Sequence, residues 1–99
     1  MSRRNSRQFP RQSVSASIRI GWQDESRQNK SAVTRTFDIS ESGIRFELIE
    51  RLPLRADVMV RSDKIGLQTR AIVRYCEPKG MKFAVGVEFA GGYRWTPPQ

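Results

Sequence analysis

From Ser13 to Trp22 the chain alternates without a break. Val14, Ala16, Ile18, Ile20 and Trp22 share one parity; Ser15, Ser17, Arg19 and Gly21 share the other. Successive side chains of a strand point to opposite faces, so this pattern predicts a half-buried strand. Ala32 to Phe37 predicts a second strand, with Val33, Phe37 and then Ile39 as apolar points. Arg35 lies on the parity of Val33 and Phe37, a conflict that a bulge or a barrel rim would relieve. The third strand, Gly43 to Leu48, puts Ile44, Phe46 and Leu48 inward and Arg45 and Glu47 outward. Ala56 to Arg61 carries Val58 and Val60. Leu67 to Cys76 places Leu67, Thr69, Ala71, Val73 and Tyr75 on one parity, and Met81 to Phe89 places Phe83, Val85, Val87 and Phe89 on one face.

The segments between are polar or rich in turn residues. Gln23 to Ser31 reads as a hairpin loop, and Glu50 to Leu54 as a connection whose Leu52 and Leu54 cap the core. Ser62 to Gly66 and Glu77-Pro78-Lys79-Gly80 read as turns. No stretch has a helical period. Six short strands in this order predict an all-β fold, a closed or nearly closed antiparallel barrel, because closure removes the exposed edges of a small sheet.

The ends differ from this centre. Residues 1–12 hold Arg3, Arg4, Arg7 and Arg11 among Ser, Asn and Gln, with Phe9 as the one sizeable core candidate. So little burial does not offset ordering entropy, and the segment is expected to be a flexible arm. Pro10 disfavours helix at Phe9 and stiffens the approach to the first strand. Residues 13–90 form the barrel. Residues 91–99 are too short and too rich in Gly and Pro for a helix, and Tyr93 and Trp95 are expected to fold back onto the barrel.

Ninety-nine residues allow one domain with a modest core. The net charge of +8 favours anionic partners: nucleotide, nucleic acid, acidic protein or membrane surface. The single cysteine, Cys76, excludes an intrachain disulfide framework and a cysteine-rich zinc site. No apolar run approaches a membrane span, and the basic N-terminus lacks the apolar segment of a secretory signal. A cytoplasmic location is expected. Without histidine, a nucleophile elbow, a phosphate loop or clustered metal ligands, the sequence gives no support for an enzyme.

Candidate chemistry centres on Asp38-Ile39-Ser40-Glu41-Ser42-Gly43, between the second and third strands. By itself this reads as a tight turn, in which Asp and Ser bond nearby backbone and Gly43 is free to take positive φ. It also admits a binding role, with Asp38 as acceptor and Ser40 as donor or acceptor. Upstream stands Arg7-Gln8-Phe9-Pro10-Arg11. The two motifs, Arg-x-x-x-Arg and then Asp-x-Ser-x-x-Gly 27 residues on (38 − 11), ahead of Gly86-Val87-Glu88-Phe89, resemble the PilZ domain family from about Arg7 to Phe89.

The resemblance implies a six-stranded PilZ-type barrel that binds cyclic di-GMP through Arg7, Arg11, Asp38, Ser40 and Gly43. An arginine fork matches guanine N7 and O6, or a phosphate, bidentately. Asp38 would accept from guanine N1–H and N2–H₂, Ser40 would bond phosphate or base, and Gly43 would let backbone approach closely. Ligand would order the arm across the barrel and so signal to a downstream protein partner. An Arg3-x-x-x-Arg7 register also exists, and Gln8 departs from the family, where a further arginine is frequent. The alternative is a small basic barrel binding RNA or single-stranded nucleic acid. Such proteins expose aromatics along strands, whereas Phe46, Phe83 and Phe89 here fall on the inward parity.

Overall fold

The structure, a computed structural model, describes residues 15–97. Six strands, β1 (Ser17–Gln23), β2 (Asn29–Ile39), β3 (Gly43–Leu48), β4 (Asp57–Ser62), β5 (Leu67–Lys79) and β6 (Lys82–Phe89), follow one another along the chain. All neighbouring pairs are antiparallel, and they close into a barrel in the order β1-β2-β3-β6-β5-β4, sealed by β1 against β4. The flexible-arm expectation, with Arg7 and Arg11, lies outside the described residues.

The inward parities follow the alternation closely. Ala16, just ahead of β1, and Ile18 and Ile20 of β1 meet Ile44, Phe46 and Leu48 from β3, Val58 and Val60 from β4, and Val85, Val87 and Phe89 from β6. Because β3 and β4 are not neighbours, the connection between them crosses one mouth of the barrel. Leu52 is buried there, its amide donating to Cys76 Sγ at 3.4 Å. Leu54 does not share the role expected of it: it is 64% exposed. One leucine fills the mouth, and the next apolar residue of the loop is left outside.

The other mouth is closed by the tail. Trp95 is 4% exposed, and its indole N–H donates to the Ile65 carbonyl at 2.7 Å. Tyr93 stands edge-on to Phe89, 5.4 Å between centroids, and its hydroxyl bonds the Gly66 carbonyl at 3.3 Å. Both aromatics fold back, as expected. A buried indole needs a partner for its N–H, and the β4–β5 turn supplies one.

Three departures from the predicted elements have physical reasons. β2 begins at Asn29 rather than Ala32, because Gln23, Trp22 and Gly21 pair with Asn29, Lys30 and Ser31. Polar residues suffice there, since the ladder is made by backbone. Likewise β5 runs through the expected turn: Pro78 pairs with Phe83 and Lys79 with Lys82, leaving only Gly80 and Met81 to reverse the chain. The third departure is the face of β2. Val33 is 60% exposed and shares the outer face with Arg35, while Thr36 is buried. The conflict seen at Arg35 is relieved by a register shift between Thr36 and Asp38.

Candidate functional site

That shift determines the site. Thr36 pairs with Phe46, both inward; Asp38 pairs with Arg45 and Ile39 with Ile44. One extra residue, Phe37, sits between, so the parity of β2 reverses. Unbroken alternation would send Asp38 inward with Thr36. The bulge instead turns it onto the outer face beside Arg45 and returns Ile39, fully buried, to the core. Phe37 itself lies under Lys79, whose ammonium is 4.1 Å from the ring centroid.

Asp38 is 8% exposed, yet it faces a cation. Arg45 Nε donates to both carboxylate oxygens at 2.9 Å, and a terminal nitrogen donates to Oδ2. Such a fork on a carboxylate is both directional and charge-assisted. It raises the Arg45 pKa above the usual arginine value, chiefly through the Asp38 bond; burial opposes the rise, and a side-chain bond to Tyr75 adds to it.

Ser40 and Gly43 hold the turn. The Ser40 amide donates to the Gly43 carbonyl at 2.8 Å, its hydroxyl donates to the same oxygen at 3.4 Å, and the Ser42 amide donates to Ser40 Oγ at 3.3 Å. Ser40 is 2% exposed, which places it inside the turn rather than beyond it. The expectation of positive φ at Gly43 is not met; its φ lies outside the left-handed region. Glycine is needed there because β6 is close: a Cβ would sit 2.5 Å from the Val87 carbonyl oxygen.

The rest of the barrel braces this turn. The Phe89 amide donates to the Ser42 carbonyl at 2.8 Å and the Trp95 amide to the Glu41 carbonyl at 3.0 Å. Arg94 pairs with the Glu41 carboxylate at 2.7 Å. The tail that fills the barrel mouth thus also fixes the motif.

On the far side of Arg45 the strands continue the same row. Arg45 pairs with Gly86 of β6, and Gly86 pairs with Tyr75 of β5. Tyr75 was expected to share an inward face with Val73. A second register shift, between Val73 and Tyr75, turns it outward instead. Arg45, Tyr75, Gly86, Gly43 and the Arg74–Glu88 ion pair line a shallow cleft of about 310 Å³. Sequence reasoning assigned Arg45 and Tyr75 no role. For Arg45 the available signal was the parity conflict at Arg35, which a bulge or a barrel rim would relieve; the unbroken alternation of Leu67 to Tyr75 gave none for Tyr75.

The chain enters the described region beside this site. Arg35 Nε donates to Ser15 Oγ at 3.1 Å, and Ala16 and Thr36 exchange bonds of 3.0 and 3.1 Å. Ser15 is therefore held against β2 three residues before Asp38. Among the described residues no three His, Cys, Asp or Glu groups gather as a metal site, and no helix is long and apolar enough to cross a membrane.

A family model described as PilZ domain matches residues 5–92. Among solved structures, the chain is similar to the Bacillus subtilis inhibitor of motility (MotI/DgrA), with a TM-score of 0.61 and 22% identity. The match covers 91% of this chain and 44% of that one, so the chain spans less than half of that protein's length. At this identity the likeness concerns the fold. Curated proteins yield no match.

Proposed function

Because the chain belongs to the PilZ domain family, we propose that it is a receptor for cyclic di-GMP, with Asp38, Ser40 and Gly43 on the barrel and Arg7 and Arg11 on the preceding arm as its ligand-binding residues. The observation that carries this reading is the outward placement of Asp38 by the β2 bulge, on a turn braced from three sides. Arg45 holds both carboxylate oxygens, so guanine N1–H and N2–H₂ would share those acceptors with it or displace it. Ser40 sets the turn that presents Asp38, and Gly43 keeps backbone close to β6.

The arm's reach agrees with this assignment. Ser15 is fastened to Arg35, and Arg11 precedes it by four residues, a span of up to about 14 Å when extended. Asp38 stands three residues along β2 from Arg35, about 10 Å at ~3.3 Å per residue, so an extended segment of that length would bring Arg11 within range of the turn. Ligand would neutralise the arginines and order the arm across the barrel, presenting a new surface to a downstream protein partner in the cytoplasm. The aromatics available for stacking single-stranded nucleic acid are largely committed elsewhere: Phe46, Phe89 and Trp95 are buried, and Phe37 lies under Lys79.

Calorimetric titration with cyclic di-GMP, with GTP and a short RNA as controls, tests the reading. Saturable binding of cyclic di-GMP alone is expected. Preference for RNA, or no binding of cyclic di-GMP, would overturn it.

A further inference from the structure

Across the seam that closes the barrel, where β1 meets β4, two arginines face each other. Arg19 pairs with Arg61 in the ladder, and both are exposed. Like charges directly opposite on an antiparallel pair are destabilising. Among the described residues Arg19 has no hydrogen-bond or ion-pair partner to offset this. Arg61 reaches Asp63 at 3.2 and 3.5 Å, but the two side chains are 58% and 82% exposed, and so open a pair is weak and readily shared. Arg35 lies diagonally across from Arg19, because its ladder partner is Ser17, two residues earlier in β1. Its Nε and one terminal nitrogen bond Ser15; the other terminal nitrogen remains as a donor.

Two clefts adjoin on this face. The first, about 380 Å³, lies over Arg19, Val33 and Arg61, with Asp63 at its edge. The second, about 500 Å³, opens one row along, where Gly21 pairs with Met59. Gly21 has no side chain to fill that row, so Trp22, Ala56 and Met59 line a notch with apolar surface. Its far rim carries Arg70 and Asp57, which bond each other at 3.3 Å.

Same-side residues i and i+2 of a strand are about 6.6 Å apart, and the same spacing holds in any extended segment. A segment lying along the seam would present successive same-side residues to Arg35, to the Arg19–Arg61 pair and to the Gly21 notch. An arginine fork matches a carboxylate, and the notch suits an apolar side chain. The closed barrel offers no free strand edge, so side chains carry the recognition. Arg and Met are enriched at protein interfaces while Lys is depleted, and the cations of these rows are all arginine. Trp22, the ring bordering the notch, packs against the core and leaves no platform for stacking bases.

We propose that the outer face of β1 and β4 is a docking surface for an extended acidic segment of a partner protein. Its pattern is acidic-x-acidic-x-apolar, read in either chain direction. The carboxylates meet Arg35 and the Arg19–Arg61 pair, and the apolar side chain enters the notch between Gly21 and Met59. The surface uses none of the residues of the Asp38 turn, so the inference stands whether or not cyclic di-GMP binds.

The test titrates the isotope-labelled chain, arm included, with a synthetic peptide of core Glu-Ser-Glu-Ser-Leu and with its reverse, followed by amide chemical shifts. Saturable shifts are expected at Arg19, Gly21, Val33, Met59 and Arg61 with at least one of the two. Replacing both Glu by Gln, or Leu by Ser, should weaken binding. Arg19→Glu should weaken it by about tenfold or more, the scale of a lost charge-assisted bond. Its melting temperature should hold or rise, because a like-charge pair across the seam becomes an opposite one. Gly21→Val fills the notch. An added Cβ there meets nothing nearer than 3.8 Å, so the fold should tolerate the change while peptide affinity falls.

Shifts confined to the arginine-rich arm, or spread evenly over the surface, would overturn the proposal. So would absent shifts, undiminished binding by Arg19→Glu or Gly21→Val, or equal binding of the Gln peptide. Preferential occupation of these rows by a short RNA or by cyclic di-GMP would replace the acidic segment with another ligand and overturn it as well.

Discussion

The ring of Tyr75 rests on Gly86 so closely that a Cβ at Gly86 would lie 2.2 Å from one ring carbon and 2.5 Å from another. Gly86→Ala must therefore displace the ring, which has room to swing outward because it lies on the barrel surface. The expected cost is about 1–3 kcal/mol, the usual range for overpacking. Thermal unfolding measures it. A variant as stable as the parent would show that the ring moves freely.

Gly43→Ala should cost at least as much. Here the obstacle is the backbone carbonyl of Val87, 2.5 Å from the added Cβ, and β6 is fixed on both sides by β3 and β5. A strand paired on both edges yields less than a surface ring does. We expect Gly43→Ala to melt below Gly86→Ala in parallel denaturation curves; the reverse order would mean that β3 and β6 separate easily.

Trp95→Ala should lower stability by about 3–5 kcal/mol, as for other buried tryptophans. It also removes the bond to the Ile65 carbonyl. Because the Trp95 amide holds the Glu41 carbonyl, the effect should extend to the motif turn. Amide hydrogen exchange at Ser40 and Ser42 should accelerate in the variant beyond what a uniform loss of stability produces. Protection falling equally across the barrel would show that the tail caps the core without bracing the turn.

Asp38→Ala should weaken cyclic di-GMP binding by more than about 1.5 kcal/mol, the loss expected for a charge-assisted bond. Melting of the free protein should change little, since the Arg45 side chain is 44% exposed and water can take over its donors. Calorimetry and a melting curve separate the two effects. Unaltered affinity in a folded variant would remove Asp38 from the site.

Arg7→Ala and Arg11→Ala should each weaken binding strongly without lowering the melting temperature of the free protein. Arg3→Ala and Arg4→Ala should cost much less, and that smaller loss should fade as salt screens it. Equal losses from all four would indicate nonspecific attraction, and a ranking led by Arg3 and Arg7 would favour the other register.

The barrel is legible in the amino-acid pattern. Period-two alternation fixes which side of each strand is apolar, and six such runs without a helical period have few ways to bury those faces other than closure. The same alternation placed Ile18, Phe46, Val60 and Val85 in the core, and all are buried. The order of the two motifs pointed to the family, which the match over residues 5–92 shows. The faces of Val33 and Tyr75 came from the pairing of strands instead. A bulge is a property of two paired strands, because it exists only where one ladder advances a residue against the other. Alternation within a single strand therefore puts Val33 inward with Phe37 and Ile39, and Tyr75 inward with Val73, and both placements are wrong. The requirement for glycine at 43 and 86 has the same origin: neither takes positive φ, and each is fixed by what the neighbouring strand brings against it, the Val87 carbonyl in one case and the Tyr75 ring in the other.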